Sequence, residues 1–234
     1  MSAHPSSPET PRQCDRELWR ARVSAELPRY DEHWGHLDSA EQQRAERFRT
    51  DADRARFVIA HSSLRQLLGE RLGLASQEIA FGKNAFDKPC LRNSPDALYF
   101  NTSHSGDWVL HAFNSAGPIG VDVEWLRPEL GDIDQFHSVI SADELARLHA
   151  LPASQRARAF ATLWVRKEAY VKALGEGLSR RLQDISISTD AEGRPWLLRD
   201  GNPGRLSAGW HFEDIEIDEH HVACMVYRGE LQSD

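Results

Sequence analysis

Lysine is nearly missing from this chain: among 28 lysines and arginines, only Lys83, Lys88, Lys167 and Lys172 are lysines. A general preference for arginine explains the scarcity but not the placement, because all four fall in or beside the segments that carry the other chemical signals. An ammonium is a compact point charge on a flexible stem, suited to phosphate oxygens where the planar guanidinium fork does not fit. Cysteine is scarce as well. Cys14, Cys90 and Cys224 are odd in number and have no Cys-x-x-Cys spacing, which excludes a disulfide framework and a zinc ribbon. No apolar run approaches the roughly 18 residues of a membrane span, so a cytoplasmic protein without a membrane partner is expected. The glycine fingerprints of P-loops and dinucleotide sites are absent, and Gly175-Glu176-Gly177 reads as a helix stop. There is no Gly-x-Ser-x-Gly elbow either.

What is present describes a globular chain of 234 residues with net charge −8, long enough for one large domain or two small ones. The acidic balance argues against nucleic acid as a partner, since duplex binding requires a basic face. Arg44, Arg47, Arg49, Arg54 and Arg56 crowd one stretch interrupted by acids. That cluster is either a solvated helix face or a local anion site. The pairs His33/His36 and His220/His221 lack the further ligands of a zinc site and read as surface histidines.

Two segments carry the chemistry. In Gly120-Val121-Asp122-Val123-Glu124 a strand points Asp122 and Glu124 to one face, about 7 Å apart, and the valines to the other. Taken alone, such a strand also describes a solvated sheet edge. In Trp164-Val165-Arg166-Lys167-Glu168-Ala169-Tyr170-Val171-Lys172 a helix places Glu168 one turn from both Trp164 and Lys172. Phe160, Leu163, Trp164, Val171 and Leu174 define its apolar arc, with Lys167 inside the arc and Glu168 at its border. A lysine there must find a partner, in a structural ion pair or in a site. Three carboxylates from a strand and a helix, with cations beside them, suit a hard divalent cation that holds phosphate oxygens. Phosphoryl-type transfer is the chemistry suggested.

Along the chain, strands are expected near 18–23, 79–81, 98–102, 109–113 and 119–125, and again near 184–188, 195–198, 209–212 and 222–227. Helices are expected from an N-cap at Ser39 to Phe48, from Asp51 or Asp53 to Leu72, and over 133–140, 142–150 and 154–174. Each half runs helices and then strands, so the fold class expected is α+β in two related lobes, with the ligand site in the cleft between them. The division expected is a flexible tail over 1–15, an N-terminal lobe over 16–116 and a C-terminal lobe over 117–234.

Asn101-Thr102-Ser103-His104-Ser105-Gly106, the Asp122/Glu124 strand, the Trp164–Lys172 helix and Phe86-Asp87-Lys88-Pro89-Cys90 together resemble, in order and spacing, the 4′-phosphopantetheinyl transferases. The likeness is to the larger, surfactin-synthetase-activating type, whose members are two-lobed monomers, and it runs from about Ser39 to Leu178. It implies a pseudo-dimeric fold and transfer of the phosphopantetheine arm of coenzyme A to a serine of an apo acyl or peptidyl carrier protein, leaving adenosine 3′,5′-bisphosphate. Carried over by position, Asp122, Glu124 and Glu168 would hold Mg²⁺ against the pyrophosphate, and Lys172 would stabilise its developing charge. Ser103 and His104 would contact the coenzyme phosphates, and Lys88, Arg44 and Arg56 the 3′-phosphate and adenine. Glu168 is either the acceptor of the serine proton or a ligand alone, and the role of Lys167 stays open. Glu41 stands where the resemblance calls for a basic residue near the coenzyme. The rival of another class is a noncatalytic module binding coenzyme A or carrier proteins; a hydrolase on Ser103 and His104 fails because strand neighbours point to opposite faces.

Overall fold

The computed structural model describes residues 16–92, 98–176, 180–202 and 209–229; the expected tail over 1–15 and Gly177 lie outside them. The N-terminal half opens with β1 (Arg16–Arg22), short helices α1 (Val23–Glu26) and α2 (Tyr30–Gly35), then α3 (Ser39–Ala45) and the long α4 (Asp51–Leu72). A small hairpin of β2 (Phe81–Lys83) and β3 (Pro89–Leu91) follows, then β4 (Tyr99–Ser105) and β5 (Trp108–Asn114). The second half repeats this plan. It runs through β6 (Ile119–Trp125), α5 (Ala142–His149), the long α6 (Ala153–Leu174), a hairpin of β7 (Ser186–Thr189) and β8 (Pro195–Arg199), then β9 (Trp210–Ile215) and β10 (His221–Arg228). The antiparallel sheets have orders β1-β5-β4 and β6-β10-β9, so each half pairs its first strand with its last and its last with the one before. The two-lobed α+β reading therefore holds at the level of strand order, which no sequence repeat reveals.

Local signals explain the boundaries. Asp38, not Ser39, caps α3, because it forms a reciprocal capping box with Glu41. Thr50 caps α4 through the Asp53 amide. Both 22-residue helices stop at a glycine in the left-handed region, Gly73 (φ 67°) and Gly175 (φ 72°). The helix expected over 133–140 is instead a single 3₁₀ turn, Ile133–Phe136, preceded by another at Pro128–Gly131. The residue before the second turn makes no side-chain cap, while Ile133, Val139 and Ile140 are drawn into the core beneath α6. The strand expected at 79–81 forms two residues later, since Ile79 ends a 3₁₀ turn and its carbonyl accepts from Arg65.

The lobes meet in two ways. Leu110 and Ala112 of β5 pack on Val121 and Val123 of β6 and Ala223 and Met225 of β10. Beside this apolar seam, Asn101, Ser103 and Ser105, on one face of β4, accept the backbone N–H groups of Val121, Val123 and Trp125 at 2.8, 3.3 and 3.0 Å. The edge of β6 is thus satisfied by side chains instead of another backbone, and polar groups are buried at the joint without loss of partners. Asp122 is only 6% exposed there, so the solvated-edge alternative for this strand does not hold.

Candidate active site

Closeness of α6 to β6 sets the site. Gly120 makes it possible: a Cβ there would lie 2.0 Å from the carbonyl oxygen of Ala169 and 2.5 Å from the amide of Ala173. With the helix backbone against the strand, Lys172 Nζ reaches Asp122 Oδ1 at 2.6 Å, Ser103 Oγ at 3.1 Å and the Val121 carbonyl at 3.3 Å. Ser103 Oγ in turn donates to Asp122 Oδ1 at 2.8 Å. Asp122, Glu124, Glu168, Lys172, Ser103 and His104 all line one cavity of about 1770 Å³ between the lobes.

The electrostatics tie the three acids together. Burial raises the pKa of Glu168, and the charge of Asp122 raises it further against the pull of Lys172. Burial also raises Glu124; Arg127, 3.1 Å from Oε1, opposes the rise and Asp122 adds to it. Asp122 is thus the common electrostatic neighbour of both glutamates. Among the described residues, no three side chains of metal-binding type stand close enough to close on one ion. The acids share a cavity in an open arrangement in which Lys172 and Ser103 occupy one Asp122 oxygen. Open sets of hard oxygen donors are what Mg²⁺ takes, since it is usually bound by one or two carboxylates plus waters and substrate phosphates.

The N-terminal end of the same cavity is built differently. Arg44 and His61 both rest on the ring of Phe57, at 5.0 and 4.0 Å from its centre. Glu41 accepts from His61 Nδ1 at 2.9 Å and from Arg65 Nε at 2.5 Å. Burial pushes the Glu41 carboxyl up, but these two hydrogen bonds outweigh it and hold it below the usual range. Arg65 is 1% exposed and also binds Asp38 and the carbonyls of Ser76 and Ile79. His104 of β4 is lowered in pKa, by burial first and by Arg56 next.

Comparison with known proteins bears on this arrangement. Residues 118–225 match the model of the 4′-phosphopantetheinyl transferase superfamily, and residues 24–116 match that of the 4′-phosphopantetheinyl transferase N-terminal domain. The chain belongs to the 4′-phosphopantetheinyl transferases. It is 30% identical to the 4′-phosphopantetheinyl transferase ffp of Bacillus subtilis over 191 residues, 81% of this chain and 75% of that protein. To the 4′-phosphopantetheinyl transferase HetI of Nostoc it is 31% identical, covering 91% of this chain and 87% of the relative. The holo-[acyl-carrier-protein] synthase of Neisseria meningitidis aligns with 48% of this chain and 98% of its own length, at 19% identity and a TM-score of 0.39.

Two residues that sequence reasoning assigned to the coenzyme are engaged by backbone carbonyls in this transferase. Lys88 Nζ donates to the carbonyls of Lys172 at 2.6 Å and Ile119 at 3.2 Å, and is not among the cavity-lining residues. It satisfies a carbonyl in the last turn of α6, where intrahelical partners run out and cations are favoured. Burial, with Lys172 nearby, brings its pKa down to about 8. Arg56 is also outside the lining; it donates from Nε to the Gly106 carbonyl at 2.9 Å and pairs with Asp53. Ser103 is in the cavity wall, but its hydroxyl is engaged by Asp122, Lys172 and the Val123 amide.

The transferase resolves Lys167 as structural. Its fully buried Nζ donates to Glu144 Oε2 at 2.5 Å and to the carbonyls of Val139 and Leu182. Glu144 also accepts the amides of Ser141 and Ile187, at 2.9 and 2.8 Å. Removing the acid leaves two buried amides without their acceptor and the buried ammonium without its counter-charge, whereas removing the lysine leaves a carboxylate that still accepts both amides. Glu144→Ala is therefore expected to cost the larger part of the ~3–5 kcal/mol typical of a broken buried pair, and Lys167→Met measurably less; denaturant midpoints of the two variants check the order.

Sequence reasoning missed Asn101 and Ser105 as the lobe joint, and His61, Arg65, Lys83 and Arg92 around the cavity. The alternation Asn-x-Ser-x-Ser was a readable signal for the first two. For the others, partners distant in sequence decide the role.

Proposed function

We propose that this transferase moves the 4′-phosphopantetheine arm of coenzyme A onto a serine of an apo acyl or peptidyl carrier protein, in the cytoplasm and as a monomer. The observation that carries the reading is the gathering of Asp122, Glu124 and Glu168 in one cavity with Lys172 held at 2.6 Å from Asp122. Both lobes wall that cavity, so one chain supplies every group named. Cys90 and Cys224 are free thiols, in keeping with a reducing compartment, and no helix among the described residues is long and apolar enough to cross a membrane.

In the reaction, the serine oxygen attacks the phosphorus that carries the pantetheine arm. The bond from that phosphorus to the bridging oxygen breaks, and adenosine 3′,5′-bisphosphate leaves with the electron pair. Asp122, Glu124 and Glu168 are the residues that would hold Mg²⁺, which when bound supplies positive charge to the pyrophosphate oxygens. Lys172 contributes a second positive charge from a fixed position, aimed where negative charge grows. Glu168, its pKa raised by burial and by Asp122, is suited to take the serine proton.

The test is to incubate the protein with coenzyme A, Mg²⁺ and apo carriers from fatty acid, polyketide and nonribosomal peptide systems, and to weigh each carrier by mass spectrometry. A gain equal to the phosphopantetheine arm is expected. No gain on any carrier, with coenzyme binding retained, would leave the noncatalytic binding module as the better account.

A further inference from the structure

A buried relay of two hydroxyls and one imidazole ends in the cavity wall. His111 of β5 is wholly buried and stacked on Trp19 of β1, with ring centres 5.1 Å apart and planes 20° from parallel. Its Nε2 lies 2.9 Å from Ser63 Oγ of α4, and its Nδ1 lies 2.9 Å from Oγ1 of Thr102, the residue directly across from it on β4. Thr102 in turn lines the cavity. The reaction described above uses none of these groups.

Proton bookkeeping fixes the direction of each bond. Ser63 has one hydroxyl proton and gives it to the Ile59 carbonyl one helical turn back, at 2.6 Å. Its oxygen can then only accept from His111, so Nε2 carries the imidazole proton; the Ala60 carbonyl beside the ring favours the same placement. Burial pushes the pKa of His111 down to about 3, and a neutral ring has no second proton for Nδ1. Nδ1 is therefore an acceptor, and Thr102 spends its own proton on it. What Thr102 Oγ1 turns to the cavity is lone pairs alone. Its neighbours in that wall, Leu64 and Phe100, are apolar, so this position accepts a hydrogen bond, cannot donate one, and offers nothing to a phosphate oxygen.

We infer that Thr102 is a specificity-determining residue, an obligate acceptor that reads an uncharged N–H or O–H donor on the bound molecule, and that His111 and Ser63 are the positioning residues that hold it in that role. Resting on the functional reading above, the bound molecule is coenzyme A. Such donors stand on both of its halves: the amino and 2′-hydroxyl groups of the nucleotide, and the amides and hydroxyl of the arm. A threonine hydroxyl free to rotate would serve a donor or an acceptor equally. Pinned from behind by Nδ1, this one favours a donor and sets its lone pairs against any acceptor placed there. A single polar atom so fixed in an apolar stretch of wall orients the ligand, separately from the charges at Asp122 and Lys172.

Calorimetric titration of the full chain with coenzyme A, adenosine 3′,5′-bisphosphate and 4′-phosphopantetheine checks the contact and places the donor. Thr102→Val should weaken coenzyme A about five- to tenfold, the worth of one neutral hydrogen bond, and weaken by a similar factor the half that carries the donor. Thr102→Ser, which keeps the hydroxyl, should bind as the wild type does. Nitrogen NMR spectra of the wild type labelled at histidine should show the His111 proton on Nε2, and a change at Nδ1 on adding coenzyme A that is absent from Thr102→Val; an imidazole with a merely structural role would register no ligand. Unchanged affinity in Thr102→Val, a serine variant as weak as the valine one, or a proton on Nδ1 overturns the inference while the functional reading stands. Wild-type protein that binds neither coenzyme A nor either half overturns that reading, and the contact at Thr102 with it.

Discussion

Lys172→Met is expected to lose about 10²–10³-fold in kcat, the range seen when one preorganised charge-stabilising donor is removed, with little change in melting temperature. The side chain of Lys172 is 29% exposed and spends its charge on the cavity side, at Asp122 Oδ1, Ser103 Oγ and the Val121 carbonyl. Methionine keeps the stem and its packing on the strand. What disappears is the one ammonium that touches both Asp122 and the lobe joint. The loss should fall on kcat more than on KM for the coenzyme, because a charge aimed at the leaving oxygens acts chiefly in the transition state. Lys172→Arg should recover only part of the rate, since a planar fork does not reproduce a point charge packed between a carboxylate and two neutral oxygens. Steady-state kinetics and a thermal melt on the same preparations check both statements; a KM effect with unchanged kcat would move Lys172 from catalysis to binding.

Gly120→Ala should be more damaging still, at about 4–5 kcal/mol or beyond, and should not yield a normally folded enzyme at wild-type levels. The added methyl meets the Ala169 carbonyl oxygen at 2.0 Å and the Ala173 amide at 2.5 Å, which are backbone atoms of α6 and cannot swing aside. Either the helix lifts from the strand, opening the core of the C-terminal lobe, or β6 leaves its pairing with β10. Both outcomes separate Lys172 from Asp122. Soluble yield and the denaturant midpoint report the first effect, and residual turnover of any folded fraction reports the second. A folded variant with near-normal activity would show that the lobe tolerates a looser contact than the one described.

How much of this could be read beforehand depends on the distance over which each residue finds its partners. Asp122, Glu124, Glu168 and Lys172 announced themselves because strand and helix periodicities are local, and a carboxylate bordering an apolar arc is conspicuous. The 22-residue helices and their glycine stops were legible for the same reason. Lys88 was not: in a basic loop it looks like a phosphate ligand, and only the fold reveals that its partner is a helix carbonyl 84 residues away. Glu41 read as a departure from the family pattern, until Arg65 and His61 showed what it holds. Lys167 was recognised as needing a partner, but Glu144 lies 23 residues earlier and outside any periodic pattern shared with it. The repeated strand order stayed hidden because the two halves conserve an arrangement of backbone and not a string of residues.

The hairpin of β2 and β3 reaches from the first lobe to the end of α6, where Asn84 Nδ2 donates to the Gly175 carbonyl at 2.9 Å and Lys88 to that of Lys172. This strap has a practical consequence for anyone dividing the molecule. A C-terminal piece beginning after residue 117 would lose both donors together with the β4 side chains that finish the edge of its first strand. Such a fragment should be quickly digested by protease, and mixing it with the complementary piece should restore resistance and turnover together.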